Sequence, residues 1–309
     1  MGHMDFGTSQ TEHPDGDVVI GVNRSAGAQT PSVVVGVDGS RSALAAVSWA
    51  AEEAVARGVP LRLVSVVDES VAHDGAAAGR ALATAEVAVR KGLAAAGSST
   101  TPTRVELEVL RGRPVHRLLD AGRGATMLCI GSVGTAGATS GRLGSTAIGL
   151  AEGAHCPVAI VRQPRPSSAQ HRSVVVELDS SSDGDALLRL GIEEALLRHA
   201  PLVVISVWRA GVTDVHDAHA VAEQNRRIRA QVNRRLACTR RRHPELEVEP
   251  LAVRGTLLNY LAHHHDSIQL LLIGRRRAHG VAEMIGTSGH AALRDSDCAV
   301  LVCDQHGSL

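Results

Sequence analysis

Residues 33–40, VVVGVDGS, and residues 174–181, VVVELDSS, repeat one pattern at a distance of 141 positions (174 − 33). The register continues without a gap. SALAAVSWAAEEAVARGVPLRLVSVV from Ser42 lies over DGDALLRLGIEEALLRHAPLVVISVW from Asp183, placing Glu53 on Glu194, Pro60 on Pro201 and Ser65 on Ser206. Further on the offset becomes 143, with Arg111 and Gly112 over Arg254 and Gly255 and Gly131 over Gly274, and then 142, with Cys156 over Cys298. A tandem duplication is the strongest constraint on the fold: whatever roughly 130 residues build once, this chain builds twice. The reading divides it into a flexible tail (1–30), a first unit (31–163), a Pro- and Ser-rich linker (164–172) and a second unit (173–304).

Inside one copy, apolar β-branched runs alternate with helical patterns. SVVVGVD, PLRLVSVV, VELEVL, ATMLCIGS and PVAIVR read as five strands. Between them, Ser42 to about Arg57, 76–96, Pro114 to about Gly122 and Ser145 to about Glu152 read as helices, Pro114 suiting a first turn. Continuous apolar strands separated by helices predict an α/β fold: two doubly wound domains, each a five-stranded parallel sheet with helices on both faces. Ligands of such sheets bind beyond the carboxyl ends of the strands, where strand order reverses. That rule brings VDGS and the stretch GSVGTAGATSGRLGST, residues 131–146, to one edge.

Composition excludes several alternatives. The 32 basic and 32 acidic residues cancel, and one Phe, one Tyr and two Trp cannot furnish base-stacking platforms, so neither nucleic acid nor a membrane surface is expected as partner. No apolar stretch nears the length of a membrane span, and the start lacks a signal-peptide layout, so a cytoplasmic protein is expected. The five cysteines have no Cys-x2-Cys spacing; four lie in or beside apolar runs and read as buried hydrophobes.

The glycine-rich stretch carries the chemistry. Gly131 closes a strand, and Gly144 and Ser145 open a helix. Between them Gly134, Gly137 and Gly141 can take positive φ and bring main-chain N–H groups to a ligand. A helix N-terminus adds free donors and partial positive charge, which together suit a phosphate. Ser145 and Thr146 add hydroxyls, and Arg142 can reach phosphate oxygens; the plainer alternative is that Ser145 only caps its helix. Asp38, Gly39 and Ser40 stand at the same edge, where Asp38 serves either a sugar or phosphate-bound metal, or a helix cap.

Gly131, Gly134, Gly144 and Ser145 spell Gly-x2-Gly-x9-Gly-Ser. With VVVGVDGS, VLRGRP and HCPVAIVR, this resembles the universal stress protein family, over about 31–162 and, through the duplication, 172–303. The resemblance implies an adenine nucleotide alpha hydrolase-like domain holding ATP, usually with a divalent metal such as Mg, as a bound signal. It places Val37, Asp38, Gly39, Ser40 and Gly112 near the nucleotide, the main chain of Val66 and Val67 at the adenine, and Gly131, Ser132, Gly134, Arg142, Gly144, Ser145 and Thr146 at ribose and phosphates. It further implies pairing of the fifth strands, Val158–Val161 with Ala299–Val302, as an intramolecular pseudo-dimer, with a homodimer of whole chains and an unknown protein partner left open.

The second copy departs from the pattern. Arg277 replaces the second glycine, eight residues instead of nine precede Gly286 and Thr287, Gly39 becomes Ser180, and Pro114 becomes Leu257, while Asp179 persists. Weakened or altered binding is expected there. Arg275, Arg276 and Arg277 either grip phosphate directly or are solvated loop residues on a vestigial site, the second reading being preferred. His263, His264 and His265 point in different directions on a helix and are not read as a metal site; the basic run at Arg234, Arg235, Arg240, Arg241 and Arg242 is read as a solvated face. No Gly-x4-Gly-Lys-Ser/Thr occurs, and no general acid and base converge on the loop. The expected function is ATP-dependent regulation, with a slow metal-dependent ATPase and a nucleotide-independent scaffold as alternatives.

Overall fold

The computed structural model describes residues 17–21, 31–68, 75–99, 102, 104–135, 143–163, 172–178, 184–209, 218–275, 289 and 298–303. The first copy contains β2 (Val33–Gly36), α1 (Arg41–Arg57), β3 (Leu61–Val67), α2 (Gly75–Ser99), β4 (Arg104–Arg111), α3 (Pro114–Ala121), β5 (Met127–Gly131), α4 (Ser145–Gly153) and β6 (Val158–Val161), preceded by β1 (Asp17–Gly21). The second contains β7 (Ser173–Glu177), α5 (Gly184–Leu197), β8 (Leu202–Trp208), α6 (Ala218–Arg242), β9 (Val248–Arg254), α7 (Leu257–His264), β10 (Ile268–Gly274) and β11 (Ala299–Cys303).

Local chemistry sets the boundaries. Ser40 caps α1 by accepting the Ala43 N–H at 3.2 Å, and Gly58, left-handed at φ 62°, ends the helix by donating to Ala54 and Val55 carbonyls. Pro114 opens α3, where its missing N–H has no cost. The buried residues of α1 are mostly alanine, with Val47, Ser42 and Glu53 besides, and the small side chains let the helix lie close on a sheet whose interior is Val, Leu and Ile.

All strands join one sheet in the order β1-β4-β3-β2-β5-β6-β11-β10-β7-β8-β9. Within each copy the neighbours run parallel; at the centre β6 and β11 pair antiparallel, Leu301 opposite Ala159. The two copies are thus related by a pseudo-twofold axis through the sheet, and their strands end at opposite edges of it. One face carries α1, α2, α5 and α6 over a core spanning both copies; α3, α4 and α7 pack on the other.

At the axis, α1 meets α5 through four charges. Arg57 bonds Glu53 and Glu194, and Arg198 bonds Glu194 and Glu53, with Arg198 also lying over the Trp49 ring. The carboxylates are 1% and 0% exposed, so each depends on both guanidinium groups for compensation. Burial, then the neighbouring Glu194, pushes the Glu53 carboxyl above its ordinary value despite both arginines.

The stretch expected as a loose tail contains a strand. Asp17–Gly21 pairs in parallel with Arg104–Glu108, so β1 adds a sixth strand to the first copy. The main chain explains why the second copy has no counterpart among the described residues. In β4 the Gly112 N–H bonds back to Val67, so alternation turns odd-numbered residues, Leu107 among them, toward β1. In β9 the bonds of Glu247 and Gly255 to β8 turn even-numbered residues outward, and the position matching Leu107 is Pro250. The proline withdraws the donor that an added strand would use.

Candidate functional site

The carboxyl ends of β2, β3 and β5 converge on the first copy's loops. Past β2, Val37 still donates to Val64 at 2.8 Å, and the chain then turns at Gly39, whose φ of 81° favours glycine. Val64 faces β2 and Val67 accepts from Gly112 on the β4 side, so alternation leaves the Val66 N–H and C=O facing the space that β2 has just vacated. Gly112 takes a φ of 129° where Arg117 packs against it.

Asp38 is exposed and links two loops: its carboxylate accepts the Ser40 N–H at 2.9 Å and the Thr135 N–H at 3.0 Å. Ser40, not Asp38, is the cap of α1. Of the loop glycines expected to take positive φ, Gly134 is the one among the described residues, and it does not. A Cβ on Gly131 would lie 2.6 Å from the Ala43 nitrogen and one on Gly134 2.8 Å from the Asp38 carboxylate, so these two glycines admit protein groups to close range. Ser42, a residue the sequence reading left without a role, holds this arrangement: its buried hydroxyl donates to Val133 O and lies 3.4 Å from the Val133 nitrogen. Ser132 is structural at its main chain, donating to Val161 and accepting from Gly144.

Gly144 stands at the N-cap of α4 with extended backbone and no side-chain cap, whereas Ser145 is the first helical residue. The first-turn amides of α4 therefore open next to Gly134, whose nitrogen lies 3.5 Å from where a Gly144 Cβ would be. Ser145 is exposed and Thr146 half-buried at this mouth. Arg142, Gly137 and Gly141 lie outside the described residues. In the second copy Gly255 repeats the turn of Gly112 at φ 112°, while Asp179, Ser180, Arg276, Arg277, Gly286 and Thr287 lie outside the described residues.

Arg275 follows neither expectation. Its guanidinium crosses the junction and donates to the carbonyls of Leu150, Ala151 and Cys156 in the first copy. Of the features set aside earlier, His263 bonds the Asn259 carbonyl and His264 stacks on Tyr260 at 4.4 Å; among the described residues no three potential metal ligands cluster. Cys129, Cys156, Cys298 and Cys303 are buried, and burial pushes the Cys156 thiol to about 11. No helix among the described residues is long and apolar enough to cross a membrane.

Residues 30–162 and 170–304 each match the universal stress protein family. The chain belongs to that family. It is 39% identical over 279 residues to universal stress protein Rv2028c of Mycobacterium tuberculosis, covering 89% of this chain and 96% of that one. It is also 39% identical over 251 residues to universal stress protein Rv3134c of the same organism, covering 80% and 90%. A crystal structure of a universal stress protein from Archaeoglobus fulgidus shares the fold at a TM-score of 0.62 and 20% identity, over 88% of this chain and 96% of that one. The protein is thus a tandem universal stress protein, a stress-response protein by family.

Proposed function

We propose that the first copy binds ATP as a regulatory ligand and that this universal stress protein acts in the cytoplasm by changing a partner-binding surface when the nucleotide is held. The observation that carries the proposal is the uncapped N-terminus of α4, opening beside the Gly134 loop and the exposed Asp38 carboxylate. Free amides with partial positive charge suit phosphate. The outward Val66 main chain offers one donor and one acceptor for the edge of an adenine. Asp38 is the carboxylate at this edge, and a Mg ion accompanying the nucleotide would take its remaining ligands from phosphates and water, as this cation ordinarily does. In this reading residues 31–163 form the nucleotide domain, 164–172 a linker and 173–304 a domain whose altered loop gives it a weak site or none.

Titration calorimetry of the purified chain with Mg·ATP tests this. One bound nucleotide per chain is expected, with binding weakened at least about tenfold in Gly144→Val, whose branched side chain stands over the amides. Failure of the wild-type protein to bind, together with absence of nucleotide in the denatured preparation by mass spectrometry, overturns the proposal.

A further inference from the structure

The second copy touches the proposed site indirectly, through the far end of the helix that forms it. Because the strands of the two copies run in opposite directions across the β6–β11 junction, the carboxyl end of β10 lies beside the C-terminal end of α4. Arg275, the residue after β10, is fixed there by its main-chain N–H, which donates to Cys303 at 2.7 Å. Its side chain then reaches three carbonyls of the first copy: Ala151, Leu150 at 3.4 Å and Cys156 at 3.3 Å.

Leu150 and Ala151 are in the closing turn of α4, where helix carbonyls carry partial negative charge; the Leu150 carbonyl also accepts the Ala154 N–H at 3.0 Å. The helix has no basic residue of its own in that turn, and its C-cap is Ala154 in extended conformation, without the left-handed glycine that ended α1. A cation from the other copy thus supplies the positive charge that the last turn of α4 lacks. The helix is short, nine residues and about 13 Å long, so a restraint at its C-terminus fixes the direction of its N-terminus. The position matching Arg275 in the first copy is Ser132 (275 − 143), whose side chain is too short to make such a crossing.

We propose that Arg275 is a positioning residue for the nucleotide site of the first copy: from the end of β10 its side chain holds α4 so that its opening amides stay on the phosphates. This inference rests on the ATP reading above. It assigns the second copy a control function over the first, and it predicts that Arg275 matters to the phosphate end of a nucleotide and not to its base end, which meets β3.

The experiment compares binding of Mg·ATP and of adenosine to the full-length wild-type protein, Arg275→Ala and Arg275→Lys, with hydrogen exchange of 145–153 measured on the same samples. In Arg275→Ala the ATP affinity is expected to fall by about two- to thirtyfold with adenosine affinity unchanged, and 145–153 to exchange faster while β6 and β11 do not. Arg275→Lys, which keeps the charge and one donor group, should recover part of the ATP affinity. Wild-type binding with an unchanged ratio of ATP to adenosine affinity in Arg275→Ala overturns the inference alone, as does equal loss for both ligands, which marks a merely structural role. Absence of ATP binding by the wild-type protein overturns the site reading and the inference together.

Discussion

Replacing Arg57 by methionine tests what the central charge cluster contributes. The wild-type cluster balances two carboxylates against two guanidinium groups; the variant keeps Glu53 and Glu194 but leaves only Arg198, removing two of the four ionic contacts and giving the cluster a net charge of −1. Both carboxylates are essentially sealed from water, so the uncompensated charge should cost about 3–5 kcal/mol, a large share of the stability of an ordinary domain. With a denaturation slope near 3 kcal/mol per molar urea, the midpoint should fall by about 1–2 M. The effect is expected to depend on pH. The Glu53 carboxyl is held above 4.5 in the folded protein, so its contribution to stability is present below that unfolded value and lost as pH rises through the folded one. Losing Arg57, which pulls the value down, extends that loss, so the deficit of the variant should be larger at pH 8 than at pH 5. The companion variant Glu53→Leu, Arg57→Met, Glu194→Leu, Arg198→Met removes every charge and should match or exceed wild-type stability. Urea unfolding followed by circular dichroism at both pH values decides the matter. A midpoint for Arg57→Met within about 0.3 M of wild type at both, or a fourfold variant as unstable as the single one, refutes the argument.

Two other substitutions probe backbone geometry. Gly131→Ala places a methyl group 2.6 Å from the Ala43 nitrogen, so the start of α1 must move; a loss of about 1–3 kcal/mol by urea unfolding is expected, and an unchanged midpoint would show that the close packing is not required. Pro250→Val returns an N–H to the outer edge of β9 and should increase self-association, seen by light scattering on a sizing column; a mass distribution identical to wild type would remove the proline's assigned role.

The fold was legible because duplication doubled its signal. Strand runs such as VVVGVD and MLCI have no polar face, which marks a parallel sheet, and the two copies place them at matching intervals. The charge cluster also left a trace, since Glu53 and Arg57 recur as Glu194 and Arg198 with the same four-residue spacing. What the residues could not reveal were approaches between distant segments. Gly131 and Gly134 read as glycines kept for a ligand, yet the groups that require them are the α1 start and Asp38, about 90 residues away in sequence. Strand β1 was hidden because DVVIG is short and lies among polar residues, its place set by unpaired β4 amides and not by its own pattern. Arg275 looked like part of a degenerate phosphate loop because sequence spacing does not show that the junction turns it toward the other copy.

Joining two copies end to end has an outcome that separate subunits cannot reach. In a pair of identical chains every substitution appears on both sides of the dyad, so a change that helps one site alters the other as well. Here Ser132 and Arg275 occupy equivalent places yet are inherited independently. One copy can keep an ancestral task while its twin drifts into supervising it, and the shared strands and buried charges keep the two in company throughout.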